Sequence, residues 1–556
     1  MTQAVTAAGT PAAADGWVPF PAAHARRYLA EGYWEGGPLG ARLREWARCH
    51  GSATALVGGP PGAPVRLTYA ELDQAVDDLA AGLARLGLRP GDRVLLHLPN
   101  RTEFVVLLFA LLRLGVLPVL TLPAHRRVEI EHLARLAGAV AYAIPDTFEG
   151  FDHRRLADEI VAAVPSVRHV LVAGEPGPFT SLAALAEAGA AARAAGTAAP
   201  PPAVDPAGVA LLLISGGTTG KPKLIPRTHW DYAYNAAASA ELCALTSHDV
   251  YLVALPAAHN FPLACPGILG ALGVGATVVL APSPSPETAF ELIARERVTV
   301  TALVPALARL WVTAVGWEGP DTTSLRLLQV GGARLDAELA RRVRPVLGAA
   351  VQQVFGMAEG LLNFTRLDDD DEAVCTTQGR PLAAADEIRV VDTDGQDVPV
   401  GTVGELWTRG PYTIRGYYRA AEHNAAAFSP DGFYRSGDLV RVTDGGNLVV
   451  EGRIKDVINR GGENVSATEL EEHLLTHPGV AQAAVMAAGD DQIGESVRAV
   501  VVPEPGATPT LKDLKTYLRD RGLARFMLPD LLTVVDELPL TAVGKIDKRE
   551  LRRRLG

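Results

Sequence analysis

The chain predicts an α/β protein: a large N-terminal multi-layer α/β domain followed by a small α+β C-terminal domain. Three observations carry this expectation. Short apolar runs alternate with helical patterns from the N-terminal region to about residue 360, as layered α/β folds with a largely parallel sheet require. From about Arg389 the pattern changes to short strands and turns, with glycine at 395, 401, 404 and 410. Past Gly452 a smaller unit with fresh helix starts begins, which places the boundary at 453–455. At 556 residues the chain is long enough to hold both units, 17–452 and 453–556. No repeat of 20–50 residues stands out.

Residues 1–16 read as a disordered, Ala-rich tail. Apolar spacing at Leu72, Val76, Leu79 and Leu83 predicts a helix over Tyr69–Leu86. A strand over Arg93–Leu98, a helix over Glu103–Leu114 and a strand over Val116–Thr121 follow. The low-complexity, proline-rich stretch Ala186–Gly208 reads as a surface connection. Further strands are expected near Val250–Leu255, Ala276–Leu280, Val298–Val304, Leu325–Val330 and Val351–Phe355. The acidic run Asp368–Glu372 reads as a solvated loop rather than a metal site. Ser466–Glu469 is a capping-box signature that opens a helix through Leu475, and Thr510–Asp513 starts another.

Bulk properties narrow the function classes. Hydrophobic residues make up 48% and charged residues 21%, as in ordinary globular enzymes. A net charge of −11 leaves no electrostatic footprint for nucleic acid or an anionic membrane. The four cysteines, Cys49, Cys243, Cys265 and Cys375, are far apart and contain no CxxC pair. That argues for a reducing compartment and against a disulfide framework or zinc site. No signal peptide or membrane-spanning run is recognisable, so a cytoplasmic location is expected. Only seven of the 52 basic residues are lysines, and five of them (Lys221, Lys223, Lys455, Lys545, Lys548) fall in the segments described next.

The chemistry begins at Leu211–Arg227, LLLISGGTTGKPKLIPR. A buried strand runs into Ser215, Gly216, Gly217, Thr218, Thr219, Gly220 and Lys221. Glycines expose backbone N–H groups there, while hydroxyls and ammoniums converge, which suits a polyphosphate. A Walker A loop is excluded by spacing: three residues separate Gly216 from Gly220, and Pro222 follows Lys221. Other segments follow in order. Gly331-Gly332-Ala333 ends a strand and allows close approach to a flat ligand. Val354-Phe355-Gly356 leads to the carboxylate of Glu359. Asp438 lies in YRSGD between two strand-like stretches. Arg453, Lys455 and Gly461-Gly462-Glu463 occupy GRIKDVINRGGE. Lys545 follows a glycine in LPLTAVGKIDK.

Together these segments resemble the adenylate-forming superfamily, which includes acyl- and aryl-CoA synthetases, adenylation domains of peptide synthetases and firefly-type luciferases. The resemblance covers residues 211–548 in the family's order. It implies that the loop 215–221 binds ATP phosphates, that Gly331–Ala333 and Val354–Gly356 clasp adenine, and that Asp438 and Arg453 hold the ribose. It further implies that Glu359 helps hold Mg2+ and that Lys545 is the catalytic lysine of adenylation. Lys455 matches the hinge of a mobile C-terminal domain, and Gly461–Glu463 match the segment met by a pantetheine thiol.

PAAHNFPLACPG, residues 256–267, resembles the substrate motif of stand-alone aryl-acid adenylating enzymes of siderophore and related nonribosomal pathways. The likeness extends to the N-terminal ARRYLAEGYWEGGPL. Asn260 offers a donor and an acceptor to a 2-hydroxyl beside a carboxylate. Phe261 and Phe364 supply apolar surface, Gly332 lies beside the substrate, and His259 matches the family's aromatic gate, grouped here with the catalytic residues. Dihydroxybenzoate-specific members tend to carry Ser where Cys265 stands and Val where Leu362 stands. A thiol pairs poorly with a 3-hydroxyl and Leu removes space, so salicylate is the expected acid. The implied partner is a separate phosphopantetheinylated aryl carrier protein. Alternatives are a 2,3-dihydroxybenzoate-AMP ligase, an aryl-CoA synthetase, a luciferase-like oxygenase and a non-catalytic binder.

Overall fold

A computed structural model describes residues 16–59, 63–215, 221–460, 463–490, 494–521, 523, 527–541 and 544–555. The expected tail therefore lies almost wholly outside the described residues, as do Gly216–Gly220, Gly461 and Gly462.

Two large sheets dominate the N-terminal part. One runs Leu224–Thr228, Val209–Ile214, Leu117–Leu120, Arg93–Leu96, Ala141–Pro145, His169–Ala173 and Thr180–Ser181. Its inner strands are parallel, and Leu224–Thr228 closes one edge antiparallel to Val209–Ile214. The second has a parallel centre of Thr277–Leu280, Val250–Val253, Val300–Leu303, Leu327–Gly331 and Ala350–Met357. A hairpin then turns back through Gly360–Phe364, antiparallel to Ala350–Met357. Helices cover both sheets, so the inner strands are apolar on both faces, as buried parallel strands must be.

A four-stranded antiparallel sheet spanning Glu387–Arg453 follows, and the small α+β unit comes last with its own core around Ile458, Leu470, Val485, Val501 and Leu514. The observed α/β layers, large unit and smaller C-terminal unit match the expected fold class. No helix among the described residues is long and apolar enough to cross a membrane.

Local signals place most elements well. The helix Tyr69–Leu86 has the expected bounds, because Thr68 and Glu71 form a reciprocal capping box and Gly87 ends it left-handed at φ 101°. Ser466 and Thr510 cap their helices as their spacing predicts. Two expectations are corrected. The acidic run is no simple loop: Asp370 caps the helix Asp371–Thr376, and Asp369 pairs with Arg380 at 2.9 Å. The first half of Ala186–Gly208 is not a connection either, since Ser181 caps a helix over Leu182–Ala194.

That Ala/Gly-rich composition serves helix contact. Gly82 approaches the Leu185 carbonyl and Gly189 the Asp78 carbonyl so closely that a β-carbon at either would overlap the oxygen. Small residues let two helix backbones pack together, and alanine itself favours helix. On an exposed helix Gly→Ala stabilises by about 1 kcal/mol. Here Gly189→Ala is expected to destabilise by roughly 1–3 kcal/mol, as overpacking does. A lowered urea midpoint at unchanged m-value checks it.

Candidate functional site

The site lies where the C-terminal ends of the second sheet meet the loop carrying Lys545. That loop is a tight turn: Thr541 N–H donates to the Lys545 carbonyl at 2.6 Å, and Gly544 N–H to the Thr541 carbonyl at 2.9 Å. Its base is pinned by Lys548, whose ammonium meets Glu471 at 2.6 Å. The turn presses Lys545 over Gly332: a β-carbon there would lie 3.0 Å from Lys545 Cε and 3.6 Å from Nζ. Gly332 also has φ +87°, so both its backbone and its missing side chain are required. A second contact between the two units is Arg334, which pairs with Glu472 at 3.0 Å.

Burial, then the Arg453 guanidinium, pushes Lys545 down to about 8, while Asp438 and Glu359 pull it upward. Four expected site residues are thus electrostatically coupled. Asp438 and Arg453 face each other across neighbouring strands and pair at 2.7 Å. Their partnership here is with one another, and Asp438 is buried. Glu359 is buried and accepts a hydrogen bond from Tyr417 at 2.7 Å, whose hydroxyl also meets Tyr434 at 2.9 Å.

Below the lysine lies the short helix Asn260–Ala264, capped by His259, whose Nδ1 accepts from Phe261 N–H at 3.3 Å. Burial first, and the Lys545 charge second, push His259 down to about 3, so the imidazole is neutral. The Phe261 ring covers Gly331, where a β-carbon would lie 3.1 Å from the ring edge. Leu362 likewise packs over Gly356, its partner in the antiparallel pair. Asn260 and Cys265 are 7% and 1% exposed. Asn260 Oδ1 accepts from Tyr232 at 2.9 Å, and its Nδ2 donates to Cys265 Sγ at 3.4 Å. The thiol in turn donates to the Asn260 carbonyl at 3.4 Å. Burial pushes Cys265 up to about 12, so it remains a thiol.

The described part of the phosphate loop is its neck: Ser215 and Lys223 are joined by two hydrogen bonds of 2.9 and 3.0 Å, and Lys221 is exposed. Val354 is buried, whereas Phe355 leans the other way, against Leu361, Val390 and Leu406. Ala333 is exposed. Lys455 is exposed in the turn Ile454–Asp456, directly after the last strand of the four-stranded sheet. Glu463 begins the strand Glu463–Ser466.

Sequence reasoning missed the layer beneath the pocket. Arg227 is fully buried and pairs with Asp231 at 2.8 Å. It also donates to the Ala358 carbonyl at 3.1 Å and lies 4.7 Å from the centre of the Tyr232 ring. Asn235, one turn on from Asp231, donates to the Ala264 carbonyl at 2.5 Å and sits 3.9 Å from Cys265 Sγ. The available signal was Thr228 followed three residues later by Asp231, a capping-box pattern.

Among the described residues no group of three His, Cys, Asp or Glu side chains is placed to hold a metal. A lone buried carboxylate, Glu359, fits a Mg2+ that arrives on phosphates rather than one caged by the protein.

Models of two families match the chain: "AMP-binding enzyme" over residues 43–418 and "AMP-binding enzyme C-terminal domain" over 469–545. The chain belongs to the AMP-binding enzyme family. Members of this family use ATP. Among curated relatives, a salicyl-AMP ligase / salicyl-S-ArCP synthetase of Mycobacterium tuberculosis is 55% identical, covering 97% of this chain and 95% of that one. A salicylyl-CoA synthase / salicylate adenylyltransferase of a Streptomyces species is 54% identical, over 97% of both chains. A 2,3-dihydroxybenzoate-AMP ligase of Bacillus subtilis is 49% identical, over 97% and 98%. Among solved structures, apo MbtA of Mycobacterium smegmatis is 54% identical with a TM-score of 0.74, over 97% and 99% of the chains. ATP-bound MatB of Rhodopseudomonas palustris is 28% identical with a TM-score of 0.82, over 93% and 98%.

Burial of Cys243, Cys265 and Cys375 against an exposed Cys49 predicts thiol titration at pH 8. One equivalent is expected to react in the folded AMP-binding enzyme and four after denaturation.

Proposed function

We propose that this chain converts salicylate and Mg·ATP to salicyl-AMP and pyrophosphate, then passes the salicyl group to the phosphopantetheine thiol of a separate aryl carrier protein. The observation that carries the first half is Lys545, seated over Gly332 beside His259 and within electrostatic reach of Asp438, Glu359 and Arg453. A carboxylate bound above Phe261 attacks the α-phosphorus in line. A carboxyl O–P bond forms, and the bond to pyrophosphate breaks. The Lys545 ammonium stabilises the charge spread over carboxylate and α-phosphate, and its fixed turn avoids reorganisation at that moment. Mg2+, when bound, neutralises phosphate charge, and Glu359 is the residue that would hold it. Asp438 and Arg453 take the ribose, Gly331–Ala333 and Val354–Gly356 the adenine, and 215–221 the phosphates.

The choice of salicylate rests on Cys265. Its proton goes to the Asn260 carbonyl and its sulfur accepts from Asn260 Nδ2. It offers nothing strong to a 3-hydroxyl, while the second Asn260 N–H stays available to a 2-hydroxyl. An unpaired hydroxyl costs about 1–2 kcal/mol, a preference of roughly tenfold for salicylate over 2,3-dihydroxybenzoate. Two relatives named for salicylate support the same reading.

In the second half-reaction the 453–556 unit, rotating about Lys455, withdraws Lys545 and brings Gly461–Glu463 towards the thiol. Sulfur attacks the acyl carbon and AMP leaves. CoA is the alternative acceptor, since one relative is named as a CoA synthase. Thiol-acceptor kinetics with CoA against carrier protein separate the two. The cytoplasm is the compartment that fits three buried reduced thiols and the ATP requirement.

ATP–pyrophosphate exchange with salicylate, 2,3-dihydroxybenzoate and benzoate tests the proposal, with salicylate expected to lead. Dihydroxybenzoate in front would overturn the pocket argument, and no exchange with any of the three would overturn the aryl-acid reading. Lys545→Ala is expected to cut exchange by roughly 100-fold or more while thioester formation from supplied salicyl-AMP stays within a few-fold. Equal loss of both would refute the division of labour between domain positions. Because Lys545 is held near 8 and acts as the cation, kcat/KM for adenylation should fall as pH rises through that range. Lys545→Arg, which stays charged, should move that limb to higher pH.

A further inference from the structure

On the reading proposed above Leu362 lines the aryl pocket; it shares a buried cluster with Phe261 and Cys265, and its backbone is held by residues from another part of the chain. Its carbonyl accepts from Leu382 N–H at 2.8 Å. Its amide donates to the hydroxyl of Tyr412 at 3.1 Å. Tyr412 is fully buried, and its hydroxyl donates to Asp386 Oδ2 at 2.6 Å. The same Asp386 oxygen accepts from Ala383 N–H at 3.0 Å. Residues 382–386 thus grip both polar groups of Leu362, one directly and one through Tyr412. The other Asp386 oxygen is buried against Gly410, where a β-carbon would overlap it. The outer side of the loop lines a groove of about 640 Å3 together with Tyr33 and Tyr234. With open space outside, the inward hydrogen bonds decide where the loop and the pocket wall rest.

The wall needs such a brace. The residue before Leu362, Leu361, is left-handed at φ +49° with no glycine to ease it, and Gly360 is at φ +128°. The pairing register with Ala350–Met357 shifts at this point. A strand start with an irregular register and an unfavourable dihedral is poorly fixed by its own ladder. Burial pushes Asp386 up to about 7 even with the Tyr412 hydroxyl bound to it. A carboxyl kept in so unfavourable a place is more than surface decoration.

We propose that Asp386 and Tyr412 are positioning residues for acid selection: they hold Leu362 against the 3-position of the bound aryl acid and thereby exclude 3-substituted acids. Neither residue touches substrate. The inference rests on the aryl-acid reading above.

The experiment measures pyrophosphate exchange with salicylate and 3-methylsalicylate, a probe of space without a new hydrogen bond, in the full-length enzyme. Wild type is expected to prefer salicylate strongly. Tyr412→Phe removes the acceptor of the Leu362 amide and is expected to reduce that preference roughly tenfold, the scale of one well-placed group. The KM for salicylate should rise while the KM for ATP stays within about twofold. Asp386→Ala, which leaves Tyr412 without its acceptor, should act in the same direction. Asp386→Asn keeps an oxygen acceptor and should restore the wild-type ratio. In a Leu362→Val background the Tyr412→Phe effect on the ratio should shrink, since the wall it positions is already cut back.

An unchanged ratio in folded Tyr412→Phe or Asp386→Ala protein overturns the proposal. So does a fall in kcat that is equal for both acids, which is what a merely structural role would give. If Tyr412→Phe does not fold, the Asp386 pair decides the matter alone. Absence of exchange by wild type with any aryl acid is a different result, and it removes the parent reading instead.

Discussion

A buried guanidinium underlies the candidate site. Arg227 is the penultimate residue of the strand Leu224–Thr228, and it has no solvent contact. Its pairing with Asp231 is the condition for burying it at all, since an unpaired charge there would be strongly disfavoured. Asp231 is itself held by Thr228 through the helix cap, at 2.6 and 2.7 Å. Burial pushes the Asp231 carboxyl upward even so, which shows how much desolvation the pair has to offset. From this one centre hydrogen bonds lead to the Ala358 carbonyl, next to Glu359, and the guanidinium faces the Tyr232 ring that supports Asn260. The strand Leu224–Thr228, the segment of Glu359 and the Asn260–Cys265 cluster therefore share a common anchor.

Above that anchor the site is assembled by omission as much as by contact. Gly331, Gly332 and Gly356 lack the carbon that would displace Phe261, Lys545 and Leu362. Each absence admits a side chain from another part of the chain, so three segments converge within one layer. The electrostatics follow from the same crowding. Burial lowers His259 and Lys545 and raises Cys265, which leaves one neutral imidazole, one titratable ammonium and one protonated thiol around the same small volume.

The two units meet at the site through a mixture of packing and polar contacts. Besides the turn over Gly332 and the packing of Gly544 near Val304, the contacts include the Arg334–Glu472 pair, the Arg453–Asp438 pair and a Ser466 hydroxyl that donates to the Glu451 carbonyl. Burial pushes Glu472 up to about 7, so that contact is not a strong electrostatic lock at neutral pH. Weak, partly polar contact of this kind leaves two units free to shift relative to one another.

The sequence by itself determined the fold class and the family, because the signals for both are local. Glycine spacing, a proline after Lys221, capping residues and apolar periodicity lie within a few positions of one another, and each has a direct backbone consequence. They were enough to place the helix Tyr69–Leu86 and the strand into Ser215, whereas Asn260, Cys265, Leu362 and Lys545 were singled out by the family resemblance. Only the tertiary structure decided what those residues are bound to. Arg227 reaches Ala358 across 131 positions and Tyr232 reaches Asn260 across 28, and no periodicity records such partners. The Ala-rich stretch after Leu185 looked like a tether because composition shows small residues but not the helix packed against them. The direction of the Cys265 proton and the grip of Asp386 and Tyr412 on Leu362 are likewise facts of three-dimensional proximity: a hydrogen bond is fixed by distance and angle, and sequence neighbours alone supply neither.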